Sequence, residues 1–159
     1  MARYKLILGS LALLIGLGIT SYAQDDNNTH LGTWVLTVTP PAGGPPAFQT
    51  FASFASGGVF IASTQNDHAV PSAGIQQGTW RRTREGQISS TEISFIYSPT
   101  GVAVGTLKVR ATYEFRDKNT LTGHGQLLRC DVKGENCMSL PGCASIEGIR
   151  LEVEEPECP

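Results

Sequence analysis

From Thr106 to Phe115 apolar and polar side chains alternate without a break, Leu107, Val109, Ala111, Tyr113 and Phe115 against Thr106, Lys108, Arg110, Thr112 and Glu114. A period of two puts one set on a dry face and the other in water, as in an antiparallel strand with one solvated side. Similar runs rich in β-branched and aromatic residues recur along the chain. They predict eight strands, over Gly32–Thr39, Phe48–Ala55, Val59–Thr64, Gly78–Arg84, Gln87–Tyr97, Val102–Phe115, Thr120–Cys130 and Ser145–Val153. Read in the same phase, Ile93, Phe95 and Tyr97 are expected to face the interior, as are Glu147, Ile149, Leu151 and Val153. Downstream of residue 23 no segment sustains apolar residues at i, i+3, i+4 and i+7 over a helix length, so any helix there is a single turn.

Turn chemistry separates the runs. Ser56-Gly57-Gly58, Glu85-Gly86, Ser98-Pro99-Thr100-Gly101 and Asp117-Lys118-Asn119 each fit a tight hairpin, which makes consecutive strands neighbours. Longer loops are expected over residues 40–47, 65–76 and 131–144. Eight antiparallel strands in succession can close on themselves and so remove the exposed edges that invite aggregation. The expected fold is therefore all-β, an antiparallel up-and-down β-barrel of about eight strands, with a β-sandwich as the alternative.

The N-terminus has a different pattern. Arg3 and Lys5 precede an apolar run from Leu6 to Ile19, which ends at the small-residue site Ser21-Tyr22-Ala23. That order is a cleaved secretory signal peptide. The run falls short of the roughly 20 residues needed to span a bilayer, so no membrane span is expected after processing. The chain is thus expected to divide into a signal peptide at 1–23, a flexible segment at 24–31, a barrel at 32–153 and an acidic tail at 154–159, with a secreted or periplasmic location. Charged residues make up 16% of the chain and the formal net charge is -2, which argues against nucleic acid as a partner. Most of the 18 glycines and all nine prolines fall after the signal, in keeping with short strands and many turns.

Little in the chain points to catalysis. His30, His68 and His124 lack the close spacing of metal ligands, and no metal or cofactor is expected. Nucleophile motifs such as Gly-x-Ser-x-Gly are absent, and no catalytic residue is assigned. The acidic tail lacks the spacing of a calcium loop. On parity, Glu147 is expected inside the barrel with His124, and Arg82 shares the phase of Trp80. A buried Arg82–Glu147 pair is then a structural tie or an element of specificity. These residues, with Trp80, Phe95, Tyr97, Tyr113 and Phe115, form the candidate ligand-contacting set.

Cys130, Cys137, Cys143 and Cys158 crowd the C-terminal end, and an even number behind a signal peptide points to disulfides. A redox pair is disfavoured by the lack of Cys-x-x-Cys. Three connectivities exist for four cysteines. The favoured one joins Cys130 to Cys143 and Cys137 to Cys158, which requires the last strand to end near Leu151 so that the tail can fold back. Otherwise one cysteine stays free or bonds a second chain.

The first strand opens Gly32-Thr33-Trp34, the triplet recurs at Gly78-Thr79-Trp80, and Gly148-Ile149-Arg150 lies near the C-terminus. A Gly-x-Trp on the first strand of a secreted meander with a late arginine resembles the lipocalins, and more broadly the lipocalin-like, or calycin-like, secreted bacterial barrels. The resemblance implies Trp34 as the barrel floor and Arg150 as the clasp that packs on it. It also implies a barrel that holds a small apolar ligand. The alternative is a filled barrel serving as a structural or protein-interaction module, its protein partner unknown. A third expectation, a barrel cyclase or isomerase, rests on Arg82, His124 and Glu147 meeting inside.

Overall fold

The structure is a computed structural model that describes residues 29–65, 74–84 and 86–157. The predicted signal peptide, most of the predicted flexible segment, His68 and Cys158 lie outside the described residues. The strands are β1 (Gly32–Thr39), β2 (Phe48–Ala55), β3 (Val59–Thr64), β4 (Gln76–Arg84), β5 (Gln87–Tyr97), β6 (Ala103–Phe115), β7 (Thr120–Cys130), β8 (Met138–Ser139) and β9 (Ala144–Arg150). Each of β1 to β7 pairs antiparallel with the next, and β9 pairs with both β7 and β1. Eight strands therefore close into a barrel. The two-residue β8 pairs with the far end of β7, beyond the stretch that β9 occupies. No helix among the described residues is long and apolar enough to cross a membrane.

The loops sort themselves by end. The turns at 56–58 and 116–119 lie at the end where β1 begins, and β4 ends there too, whereas the longer connections at 40–47 and 131–143 lie at the other. At the first end Asp117 builds its own turn: its carboxylate accepts from the Thr120 hydroxyl and from the Asn119 and Thr120 amides. These bonds, the Thr120 hydroxyl foremost, hold the Asp117 carboxyl below its ordinary range.

The core is an aromatic cluster at the tight-turn end. Trp34 and Phe54 are fully buried, and Phe54 packs edge-on against Phe60, Tyr113, Trp80 and Phe115. Packing begins before β1, at a position assigned by the sequence pattern to a flexible segment. His30 is buried with its ring 4.6 Å from that of Trp80, and its carbonyl accepts from the Trp34 indole N–H. The Arg150 guanidinium lies over the Trp34 ring at 4.4 Å. It donates to the Leu31, Thr29 and Lys118 carbonyls, tying the N-terminal approach and the β6–β7 turn to the last strand. Burial is the main cause that lowers the His30 pKa, with Arg82 and Arg150 adding to it.

Two glycines are required by closeness of approach. A Cβ on Gly148 would sit 2.6 Å from Leu36 Cδ2, and one on Gly78 would strike the Thr91 carbonyl and lie 2.7 Å from Glu92 Cα. Both face the interior, where the strands leave no room for a methyl group. Gly78 of the repeated Gly-Thr-Trp triplet is thus explained by β5 lying against it.

Three expectations are corrected. The last strand ends at Arg150, so Leu151 and Val153 are exposed beyond it. Its inward phase is the opposite of that predicted. Trp34, Leu36 and Val38 pair with Arg150, Gly148 and Ile146, and residues paired directly across a ladder share a face, so Glu147 and Ile149 point outward. The phase of β5 is also reversed. Ile88, Ser90, Glu92 and Ser94 pair with Tyr113, Ala111, Val109 and Leu107, which turns Ile93, Phe95 and Tyr97 to the outer face. Phe95 is 47% exposed.

The disulfide also differs from the favoured pairing. Cys130 bonds Cys137, and Cys143 is exposed with no disulfide among the described residues. The cause is β8. Leu128 pairs with Ser139 and Arg129 with Met138, so the next position in that hairpin sets Cys137 opposite Cys130, at a Cα separation of 4.0 Å. Inside the loop the Asp131 carboxylate accepts from the Lys133 and Glu135 amides and from the Asn136 side chain, and Lys108 Nζ donates to the Gly134 carbonyl. Replacing both Cys130 and Cys137 by Ser should cost about 2–3 kcal/mol, the chain-entropy value for so short a loop. Denaturant midpoints of the two proteins measure it, and peptide mapping without reductant should recover residues 130 and 137 in one linked fragment.

Candidate ligand cavity

The barrel is filled at its tight-turn end and hollow toward its long loops. A cavity of about 630 Å³ runs from Tyr113 and Glu92 up to the loops at 40–45 and 140–142. Its wall takes Leu36 and Val38 from β1, Phe60 from β3, Leu107 and Val109 from β6, Leu127 from β7 and Ile146 from β9. Gly125 and Ala144 line it with little or no side chain, and an eight-stranded barrel is wide enough to keep such a space above the aromatic floor.

Glu92 is the polar feature of this wall. Only 3% of it is exposed, and its Oε1 accepts from the Ser90 hydroxyl at 2.5 Å and from the Tyr113 hydroxyl at 3.2 Å. Burial pushes its carboxyl group up to about 7, although both hydrogen bonds act in the opposite direction by favouring the anion. Burial, with the neighbouring Glu92 charge, likewise holds the Tyr113 hydroxyl well above its ordinary value. Two residues further along the same inward face, the Ser94 hydroxyl is buried with no hydrogen-bond partner. Thr50, Gln76 and Gln126 add neutral polar groups to the wall, which has no lysine, arginine or histidine among its described residues.

The candidate residues read from the sequence divide sharply. Tyr113 lines the cavity. Trp80 and Phe115 pack against the aromatic core below it, and the Trp80 indole donates to the Ala55 carbonyl. Phe95, Tyr97, His124 and Glu147 lie on the outer surface, where His124 pairs with Ser145 and Glu147 with Thr37 and Thr122. Arg82 is exposed at the closed end of β4. With Arg82 and Glu147 both exposed and β1 to β3 between their strands, the expected buried ion pair is not formed. The interior Arg82–His124–Glu147 cluster required for an enzyme of that design is likewise not assembled. Among the described residues no group of three or more His, Cys, Asp or Glu side chains converges as a metal site.

Glu92 is absent from the candidate set because β5 carries apolar residues on both faces. The signal was present in the adjoining hairpin. Counting outward from the Ser98–Gly101 turn sets the odd-numbered residues of β5 against the even-numbered residues of β6, and the odd-numbered face of β6 is unmistakably the dry one. One extra residue is accommodated in β6 between the partners of Ile96 and Tyr97, after which this relation holds along the hairpin. No protein-family model, no curated protein and no solved structure matches this chain.

Proposed function

We propose that this protein is a small-ligand-binding barrel of the lipocalin-like, calycin-like kind, which carries or captures an apolar molecule outside the cytoplasm. The observation behind this reading is the cavity: about 630 Å³, apolar-walled, with one acidic group and a few neutral polar groups. Sites for small molecules typically measure about 300–1,000 Å³ and have this composition. Further support comes from the closed end, where Arg150 stacks on Trp34. Secretion is supported by the signal-like N-terminus and by the Cys130–Cys137 disulfide.

The test is titration with Nile red, a neutral dye whose emission shifts to the blue in an apolar site. Saturable binding with one dye per chain is expected. Val109→Phe, which places a ring in the cavity, should weaken it at least about tenfold, in line with a clash or the loss of several methylene contacts. Absence of saturable binding would sink the proposal.

A second reading, a protein-interaction module, is favoured by one observation. Phe51, Ile61, Ile93 and Phe95 are exposed on the outer face of β2, β3 and β5, with β4 lying between β3 and β5. Failure of dye binding would turn attention to that face.

A further inference from the structure

We infer that the cavity selects lipophilic amines, molecules with an apolar body and one protonated nitrogen that seats against the carboxylate of Glu92. This inference rests on the ligand-binding reading and adds the chemical class of the ligand. Two observations lead to it.

The first is charge. Glu92 is buried deep in the cavity wall, and no cation among the described wall residues faces it. On β6 the inward side chains nearest it are Val109, Ala111 and Tyr113, and its partner on β4 is Gly78. From β1, β2, β3, β7 and β9 come Leu36, Val38, Thr50, Phe60, the stretch from Gly125 to Leu127, and Ile146. Lys108 and Arg110 lie on the opposite face of β6, and His30 and Arg150 belong to the closed end around Trp34. A buried carboxylate needs a counter-charge, and within this cavity a ligand can supply one.

The second observation is hydrogen-bond direction. Ser90 and Tyr113 both donate to Glu92 Oε1, an arrangement that favours the anion and leaves the other carboxylate oxygen to accept from a ligand. A protonated amine donates to that oxygen and brings the counter-charge with it. A fatty-acid carboxylate meets Glu92 as a like charge with no cation to offset it.

Dodecylamine, dodecanol and dodecanoate test the inference, each displacing Nile red below its micelle concentration. At pH 8 the amine should bind about 10- to 100-fold tighter than the alcohol, the range for a hydrogen bond to a charged group, and dodecanoate should bind weakest. At pH 5 Glu92 is protonated, since burial holds it at about 7, and the amine should lose most of its advantage. The alcohol should bind alike at both values. Glu92→Gln should abolish the preference and retain alcohol binding. This pH comparison needs no variant, so it decides even if Glu92→Gln folds poorly. Equal binding of amine and alcohol at pH 8, or a preference that survives Glu92→Gln, overturns the inference while Nile red binding stands. If neither Nile red nor any of the three probes binds, the ligand-binding reading itself fails, and this inference with it.

Discussion

Trp34→Ala should destabilise the barrel by about 3–5 kcal/mol, the usual cost of truncating a buried Trp or Phe. Trp34 is fully buried, its ring lies edge-on to Phe115 with centroids 5.2 Å apart, and its indole N–H satisfies the His30 carbonyl. Removing it opens a void at the closed end, leaves that carbonyl without its indole donor, and takes away the surface on which the Arg150 guanidinium rests. Unfolding midpoints in urea should report the loss. Phe95→Ala provides the comparison. Because Phe95 is on the outer face, it should cost no more than about 0.5 kcal/mol, as surface substitutions usually do. Equal effects at the two positions would refute the assignment of the floor to Trp34 and the outer face to Phe95.

The second large effect depends on pH. Glu92 titrates ordinarily near 4.5 but is held at about 7 in the folded protein, so the folded state favours the protonated acid. Its contribution to stability is complete below pH 4.5 and is lost as pH rises through about 7, by about 3 kcal/mol in all at ~1.4 kcal/mol per pKa unit. Glu92→Gln keeps an oxygen that accepts from Ser90 and Tyr113 but carries no charge. The variant should therefore match the wild type near pH 4 and exceed it by about 3 kcal/mol at pH 8.

His30 acts in the opposite sense. Its pKa is lowered by burial, so its contribution is complete above its ordinary value of 6.5 and is lost as pH falls through and below that value. The difference between wild type and Glu92→Gln cancels the His30 contribution, which both proteins share. A stability difference that stays constant from pH 4 to pH 8 would show that Glu92 is not buried as an acid. An amine bound at Glu92 should reduce the wild-type deficit at pH 8, because the ligand supplies the missing counter-charge.

These two positions differ in how well the sequence reveals them. Trp34 is legible because one phase of β1, Trp34, Leu36 and Val38, is wholly apolar, whereas the other sets Val35 between Thr33 and Thr37. Glu92 is obscured because β5 offers two apolar faces, with Ile88 and Ile96 on one and Ile93, Phe95 and Tyr97 on the other, and the second is the more hydrophobic. Composition alone favours the wrong one. Pairing with β6 reverses it, since a single residue of register moves every side chain to the other face. In β9 the same inversion places Ile146 and Gly148 inside and leaves Glu147 and Ile149 exposed.

The chain by itself determined its strands, its turns and its all-β architecture. Alternation and turn residues are local properties that each segment carries wherever it lies, and five of the eight predicted strands agree in their start with those observed. Closure of the barrel followed because tight hairpins make successive strands neighbours. Tertiary structure decided which face of β5 and β9 looks inward, that Cys137 rather than Cys143 meets Cys130, and that a cavity with Glu92 in its wall lies above a solid floor. Each of these depends on register between strands distant in sequence, or on the volume left when side chains from different strands meet, and neither is a property of any one segment.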